Sequence, residues 1–340
     1  MKKALIISGV FISGLIGAGF ATGSEIYFYF AKYNNLGYYG IVLSAVLFAL
    51  LQYIVISQSA RLGTHRIDSY LKAIMPDFAA IALSLFSYVF MLFILSAMLS
   101  GCGEMLYLLY GIKKSVGALI MLVLALVVIT RGYKGFITSQ SVMLALITAI
   151  IGSVCLYIIF FCKKDIPVFA NELAWAGSAV SYTGYNMLGA VAVLCIVSEG
   201  ISRKSSILSA FFTLAILLVI MGVMGYIINL YKGTVNFGAM PLIDICCMYS
   251  YPLAVLYSVA IFASMLTTAI SVGYSLISGI NAKVKNTKIT PYAVFAVAYL
   301  LSGTDFSFIV DKLYRGAGAV SIILLFFILM SAEQYGYVEK

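Results

Sequence analysis

The sequence is poor in charge and has almost no histidine. Of its 340 residues, 10% are Asp, Glu, Lys or Arg, whereas about a quarter are charged in a typical soluble chain. The single histidine, His65, falls in a loop, and none of the six cysteines shows the spacing of a metal site. No glycine-rich loop is followed by Lys-Ser or Lys-Thr, so the sequence offers no nucleotide-binding P-loop. We therefore predict a chain that is not an enzyme, carries no resident cofactor and does not hydrolyse ATP.

The chain is correspondingly rich in apolar residues. They make up 63% of the chain, and the mean hydropathy is +1.09. This composition predicts a membrane protein with many spans, in contact with lipid along its whole length. The net charge of +9 comes from basic residues in short loops between apolar runs, where they set orientation. We therefore expect no nucleic-acid partner.

Apolar runs near the bilayer-crossing length of about 20 residues recur along the chain. We predict ten spans: Ala4–Tyr33, Gly37–Ser59, Phe78–Tyr110, Ser115–Thr130, Gly135–Phe161, Leu173–Ser198, Ser205–Tyr231, Leu253–Asn281, Thr290–Ser302 and Gly316–Met330. The loops hold more Lys and Arg on one side, which predicts that both termini lie in the cytoplasm. The segment His65–Asp77 is predicted to be an amphipathic surface helix, and Gly233–Tyr251 a partly helical outer loop.

Two spans contain residues that disfavour a helix at mid-membrane. The first has the stretch GLIGAGFATGSEIYFYF, residues 14–30, with a carboxylate at Glu25 beyond its glycines. The sixth has the polar cluster SYTGYNMLGA, residues 181–190, about half a chain later. Interrupted helices at corresponding positions of two halves are typical of inverted-repeat transporters. We therefore predict one transmembrane domain, 1–340, with repeats at about 4–161 and 168–331 and breaks in spans one and six.

The predicted break in span one offers groups for both signs of charge. Unwinding Gly17-Ala18-Gly19 frees backbone N–H groups that suit a carboxylate. The carbonyls from Ser13 to Ile16 become free acceptors that suit a cation. The alternative is that Gly14, Gly17 and Gly19 form a close-packed helix interface.

Span eight adds hydroxyls at helical spacing. Ser264, Thr267 and Thr268 lie at i, i+3 and i+4, on one face of the helix. Two hydroxyls and a backbone carbonyl of this face, with the carbonyls of span one, would form an all-oxygen Na⁺ site. The alternative is that these hydroxyls bond back to their own helix.

Ten spans, breaks in the first and sixth and the Gly17-Ala18-Gly19 triplet resemble the amino acid–polyamine–organocation superfamily. The phrase GAGFATGSEIYFYF resembles its branch of bacterial membrane proteins of the YkvI type, which implies a location in the cytoplasmic (inner) membrane of a bacterium. The resemblance implies an all-α polytopic protein with the LeuT fold, ten transmembrane helices arranged as a 5+5 inverted repeat. It also implies secondary transport of an amino acid or similar small zwitterionic solute by alternating access. Spans one, two, six and seven would then move as a bundle against spans three, four, eight and nine.

The resemblance also implies roles for individual residues. For the substrate these are Gly17, Ala18, Gly19, Tyr182, Thr183, Gly184 and Asn186. For Na⁺ they are the carbonyls of Ser13 and Ile16 with Ser264, Thr267 and Thr268. Sodium-independent relatives can place a lysine in span five, and Gly135–Phe161 has no charged residue, which favours Na⁺ coupling or a vestigial site. Apart from the resemblance, we predict that the rings of Tyr88 in span three and Tyr182 lie near the substrate.

Glu25 is the outstanding intramembrane carboxylate, because charge at this depth is costly and is usually retained for function. Its candidate roles are an outer gate, a partner for a substrate amine, a proton carrier, or a structural carboxylate. Two other functions stay open beside Na⁺-coupled uptake. One is proton-coupled or exchange transport of another small metabolite, and the other is a membrane sensor that binds a ligand without moving it.

Overall fold

A computed structural model of the chain describes residues 1–161, 174–235, 237–284, 287–303 and 313–335. This part of the chain is built of α-helices with one short 3₁₀ turn, Ala31–Tyr33. The helices are α1 Lys2–Leu15, α2 Ala18–Ala21, α3 Ser24–Tyr29, α4 Asn35–Leu62, α5 Ile67–Ile74, α6 Asp77–Tyr110, α7 Lys114–Ile129, α8 Gly132–Phe161, α9 Trp175–Val197, α10 Arg203–Tyr231, α11 Pro241–Tyr249, α12 Tyr251–Asn281, α13 Thr290–Leu301 and α14 Tyr314–Tyr335.

Six of these helices are long and apolar enough to cross a membrane: α4, α6, α8, α9, α10 and α12. Four shorter apolar helices correspond to the inner half of span one and to spans four, nine and ten. The predicted spans thus fall on apolar helices in the expected order, with six at full crossing length. The predicted start of the second repeat, residue 168, lies outside the described residues.

The helices pack in two groups. Helices α1, α4, α9 and α10 contact one another, and α6, α7, α12 and α13 form a second set of mutual contacts. Helix α8 packs against α12 and α1, and α14 packs against α9 and α4. Helix α1 also contacts α12, so span one lies where the two groups meet. This is the division into bundle and scaffold that the sequence predicts.

Both predicted surface segments contain a helix. Helix α5 buries Ile67, Tyr70 and Leu71 on one face, as expected of an amphipathic helix lying against the protein. Helix α11 occupies the middle of the predicted outer loop, and its residue Leu242 packs close to Gly23 of span one. The loop predicted to face outward therefore packs against the interrupted span near Gly23.

Span one is interrupted twice. Helix α1 ends at Leu15, and Gly17 is extended, with φ −88° and ψ −168°, before α2 begins. A second interruption follows at Thr22 and Gly23, where Gly23 has φ +82°. That left-handed conformation favours glycine, and a Cβ there would lie 2.9 Å from Leu242 Cγ. The predicted break is confirmed, and the second interruption lies beyond it.

The predicted break in span six is wrong, because α9 runs as one helix from Trp175 to Val197. Its polar side chains bond back to their own helix. Thr183 Oγ1 donates to the carbonyl of Ala179 at 3.0 Å, and Asn186 Nδ2 donates to the carbonyl of Tyr182 at 3.0 Å. Gly184 meets another helix, since a Cβ there would collide with Ser321 of α14. The cluster therefore serves helix packing rather than unwinding.

Candidate functional site

A small cavity lies beside the interruption of span one. Its volume is ≈30 Å³, room for one or two water molecules. It is lined by Phe11, Gly14, Leu15, Gly17, Glu25, Ile94, Met98, Tyr185, Asn186, Gly189, Ala190, Val193, Thr268, Ser271, Val272 and Tyr314. These residues come from both helix groups and from α14, so a relative movement of bundle and scaffold would reshape the cavity.

At one end of the cavity, oxygens from spans one and eight converge. Thr268 Oγ1 lies 3.3 Å from the carbonyl oxygen of Ser13 and 3.2 Å from that of Ile16. Thr267 Oγ1 lies 3.1 Å from the Ser13 carbonyl oxygen and 2.9 Å from that of Ser264. The Ser264 hydroxyl turns away and donates to the carbonyl of Ile261 at 2.7 Å. Ser264 therefore offers this cluster its backbone carbonyl and not its side chain.

The cluster has the donor set of a small hard cation. Three carbonyls and two threonine hydroxyls lie within hydrogen-bond distance of one another, all on buried residues. Hard cations such as the alkali and alkaline-earth ions prefer oxygen ligands. The five positions that the sequence predicts for Na⁺ are thus brought together, and their residues fit the ion. The alternative interpretation also has support, since the hydroxyls of Ser264 and Thr267 donate to carbonyls of their own helix.

Gln140 of span five completes this region and was missed from the sequence. Its side chain is fully buried, and Nε2 donates to the carbonyl of Thr267 at 2.9 Å. Its Oε1 accepts a hydrogen bond from the hydroxyl of Ser13. One amide thus ties together α1, α8 and α12 beside the oxygen cluster. The available signal was a lone amide within an apolar run, whereas the sequence argument searched span five only for charge.

The interruption leaves carbonyl groups that other parts of the chain satisfy. Tyr257 of α12 donates its hydroxyl to the carbonyl of Ala21 at 2.8 Å. The backbone N–H of Leu242 donates to the carbonyl of Thr22 at 3.0 Å. Since an unpaired backbone group in lipid costs several kcal/mol, these donors are what make the unwound segment tolerable.

Glu25 lies at the other end of the cavity. Its side chain is 4% exposed and turns back over the interruption, where a Cβ on Gly19 would collide with the carboxyl group. The carboxyl faces the hydroxyls of Tyr182 and Tyr185. Its Oε2 and the Tyr185 hydroxyl are buried and have no hydrogen-bond partner among the described residues. Glu25 Oε2 and the Tyr185 hydroxyl can therefore hydrogen-bond a ligand in the cavity that both residues line.

A cluster of tyrosine rings surrounds Glu25. The Tyr182 ring centroid lies 5.2 Å from that of Tyr29 and 5.7 Å from that of Tyr185. The Tyr185 centroid lies 5.0 Å from that of Tyr314 at the start of α14. We call these four residues the tyrosine cluster. Of them, only Tyr182 was predicted from the sequence, although Tyr185 lies three residues further along the same helix and Tyr29 lies in the interrupted stretch of span one.

The remaining predicted substrate residues divide by position. Gly17 and Asn186 line the cavity, whereas Ala18, Gly19, Thr183 and Gly184 are buried beside it without lining it. Tyr88 lies elsewhere, with its ring against Gly279 and the Lys283 ammonium 5.6 Å from the ring centroid. Tyr88 precedes Ile94 and Met98, the cavity residues of α6, by more than a helical turn, so the prediction that it lies near the substrate is not supported.

Solved structures with this architecture are transporters. Over 99% of this chain and 90% of the other, the structure resembles that of MhsT in complex with L-phenylalanine, with a TM-score of 0.71 at 13% identity. The chain has the LeuT fold. A Na⁺-coupled sialic acid symporter in a substrate-bound outward-open state matches with a TM-score of 0.63 at 14% identity, over 98% of this chain and 77% of the symporter. A mutant of the Eremococcus coleocola manganese transporter also matches with a TM-score of 0.63 at 14% identity, over 99% of this chain and 89% of the transporter.

One curated relative matches the LeuT-fold chain along its length. The uncharacterized membrane protein YkvI of Bacillus subtilis (strain 168) is 28% identical over 324 residues, 93% of this chain and 92% of YkvI. No family model matches the sequence. The relative is named a membrane protein, two of the solved neighbours are named as transporters, and all agree with the predicted resemblance to the amino acid–polyamine–organocation superfamily.

Proposed function

We propose that this protein is a secondary active transporter that works by alternating access in a bacterial cytoplasmic membrane, with both termini inside. Its solute is an amino acid or a similar small zwitterionic molecule, and its coupling ion is Na⁺. The solved neighbours support transport in general. They do not favour one solute, because the ligands in their names, L-phenylalanine, sialic acid and manganese, differ widely. The choice of ion and solute therefore has to come from this chain's own residues.

The observation that carries the proposal is the convergence of oxygens where span one is interrupted. The carbonyls of Ser13 and Ile16 belong to the bundle, whereas Ser264, Thr267 and Thr268 belong to the scaffold. An ion bound between them holds the two groups in one arrangement. A ligand shifts a conformational equilibrium only by binding one state better, and an ion shared by two moving parts meets that requirement.

Thr268 also connects the ion site to the solute cavity. Its side chain lines the cavity and contacts both carbonyls of span one. Gly17, which lines the same cavity, follows directly after one of those carbonyls. An ion at the oxygen cluster therefore fixes the backbone that borders the solute, which is the physical basis for coupling.

The test uses Na⁺ itself as the probe. Purified protein is heated in Na⁺ or in choline at equal ionic strength, and the melting temperature is followed against Na⁺ concentration. We expect Na⁺ to raise it, and Thr268→Ala to increase the Na⁺ concentration needed for half the effect by at least about tenfold, the loss of about 1.4 kcal/mol. Reconstituted Thr268→Ala protein should also lose Na⁺-driven uptake.

Thr148→Ala is the matched control. Thr148 lies in α8 and its hydroxyl donates to the carbonyl of Leu144 at 2.8 Å, within its own helix. The control should respond to Na⁺ as the unmodified protein does. An equal Na⁺ response in Thr268→Ala would show that the oxygen cluster only ties the helices together.

Proton-coupled or exchange transport of another small metabolite is the second candidate, and Glu25 favours it. A buried carboxylate with a free oxygen beside the cavity is a typical proton carrier. Glu25→Gln removes the titrating group while keeping the shape. Uptake that depends on pH in the original protein and not in Glu25→Gln, with no response to Na⁺, would favour this function over the first.

A further inference from the structure

We propose that Glu25, inside the tyrosine cluster, binds the protonated amine of the solute, and that the solute needs no carboxylate. This inference rests on the proposed function and names the chemical group that the cavity recognises. The ligands of this site are then small organic ammonium ions, and amino acids are one case of them.

The first support is the isolation of the charge. Among the described residues that line the cavity, Glu25 is the only Asp, Glu, Lys, Arg or His. In the part of the chain that the structure describes, the two ion pairs join Arg66 to Asp68 and Lys114 to Glu104, and neither involves Glu25. A buried carboxylate without a cation is costly, and a cationic ligand removes that cost.

The second support is the surroundings of the carboxyl group. Tyr185 and Tyr314 of the tyrosine cluster line the cavity together with Glu25, and aromatic rings attract ammonium groups to their faces. Glu25 Oε2 and the Tyr185 hydroxyl have no protein partner within the described ranges, and each can accept a hydrogen bond. An ammonium group has three donors and no acceptor, so the two complement each other.

The third support is the position of the carboxyl group over Gly19. The sequence predicts that the amides of Gly17, Ala18 and Gly19 bind a substrate carboxylate. In the structure the side chain of Glu25 lies against Gly19, in the space that a Cβ would need. A second carboxylate placed there would meet the first, and like charges at that distance repel.

The chemistry also argues against a divalent metal at the same place. No group of three or more His, Cys, Asp or Glu side chains that could hold a metal ion occurs among the residues that the structure describes. Glu25 would offer a single carboxylate, whereas transition-metal and Mg²⁺ or Ca²⁺ sites draw on several such ligands. A manganese substrate, as in one structural neighbour, is therefore an alternative outcome of the test.

The test is a binding experiment on the full chain in lipid nanodiscs, in Na⁺ buffer, by isothermal titration calorimetry. The probes are the primary amines from methylamine to hexylamine, the matching carboxylates from acetate to heptanoate, L-alanine, and Mn²⁺. We expect at least one amine to bind and no carboxylate or Mn²⁺ to bind. Glu25→Gln should weaken the best amine by at least about 30-fold.

Two further variants keep the result interpretable. Glu25→Asp retains the charge on a shorter arm and should still bind the amine, more weakly than the original protein and more tightly than Glu25→Gln. Glu104→Gln changes a carboxylate that pairs with Lys114 away from the cavity, and it should leave amine binding unchanged. Folding of each variant is checked by gel filtration and circular dichroism.

Several results would overturn the inference. These are binding of no amine in the panel, binding of a carboxylate or Mn²⁺ that depends on Glu25, and amine binding that Glu25→Gln leaves intact. The Na⁺ response without amine is measured in the same samples. If it is absent while amine binding depends on Glu25, the Na⁺-coupled function fails and the amine site stands. If the Na⁺ response is present while no amine binds, the amine site fails and the Na⁺-coupled function stands.

Discussion

Spans one and six both border the cavity and both carry glycine among polar residues, yet only span one unwinds. Span one is interrupted at Gly17 and again at Gly23, whereas α9 continues through Gly184 without a change in helical geometry. The difference lies in the partners of the backbone. Donors from α12 and α11 reach the carbonyls of Ala21 and Thr22 in span one, whereas Thr183 and Asn186 of α9 donate to carbonyls of their own helix.

This contrast shows what unwinding in a membrane requires. A glycine costs about 1 kcal/mol relative to alanine in a helix, which is too little to break one. Each backbone group left unpaired in lipid costs more, several kcal/mol. Tyr257 and Leu242 supply the missing bonds for span one, so the helix can open. Helix α9 has a polar cluster whose bonds stay within the helix, and it remains closed.

The two spans consequently contribute different things to the cavity. Span one brings the carbonyls of the oxygen cluster and the carboxyl group of Glu25, so it bears both kinds of charge-binding group. Span six brings the rings of Tyr182 and Tyr185 and the side chain of Asn186. In the proposed cycle the interrupted span changes its contacts with the scaffold, and the unbroken span carries the aromatic wall with it.

The largest expected effect comes from filling the space at Gly19 in span one. Gly19→Val places a branched side chain where the Glu25 carboxyl lies, so the carboxyl must move away from the tyrosine cluster. Because binding of a buried charge depends on this geometry, we expect affinity for the best amine to fall by at least about 100-fold. Calorimetry on the folded variant measures this loss.

Gly222→Val in α10 is the control for Gly19→Val. No side chain or neighbouring backbone lies within 4 Å of a Cβ placed there. It introduces the same residue into an apolar helix and should bind the amine normally. Normal binding by Gly19→Val as well would mean that the interruption and Glu25 are not part of the binding site.

The next largest effect is a loss of thermal stability on substitution of Gly184 in span six. Gly184→Ala drives a methyl group into Ser321 of α14, and overpacking of this kind costs about 1–3 kcal/mol. We expect a lower melting temperature and an unchanged Na⁺ response, because this glycine serves packing. Gly177→Ala on the same helix has open space at its Cβ and should not lower the melting temperature. A loss of Na⁺ response in Gly184→Ala would instead indicate that span six takes part in coupling.

The sequence predicts features that depend on local composition and misses those that depend on distant partners. Apolar runs are visible directly, and so are the glycines of span one and the helical spacing of Thr267 and Thr268. The donors that decide which helix opens lie far along the chain, since Tyr257 is 236 residues from the carbonyl it reaches. The same reason explains why Gln140 and Tyr314 were missed. The predicted break in span six was wrong because its composition resembles that of span one while its neighbours do not.

The smallest effect tests that explanation directly, at the bond from α12 to the interrupted segment of span one. Tyr257→Phe keeps the buried ring and removes the hydroxyl that donates to the carbonyl of Ala21. The carbonyl then has no donor from α12, and we expect a loss of about 1 kcal/mol in stability. Tyr251→Phe on the same helix removes a bond of equal length, 2.8 Å, from an exposed hydroxyl to the carbonyl of Leu109. Water replaces that bond, so the control should melt as the unmodified protein does. Because the Ala21 carbonyl lies in the interrupted segment, Tyr257→Phe should also weaken the Na⁺ response a few-fold. Equal melting temperatures and equal Na⁺ responses in both variants would show that span one stays open without its partner in α12.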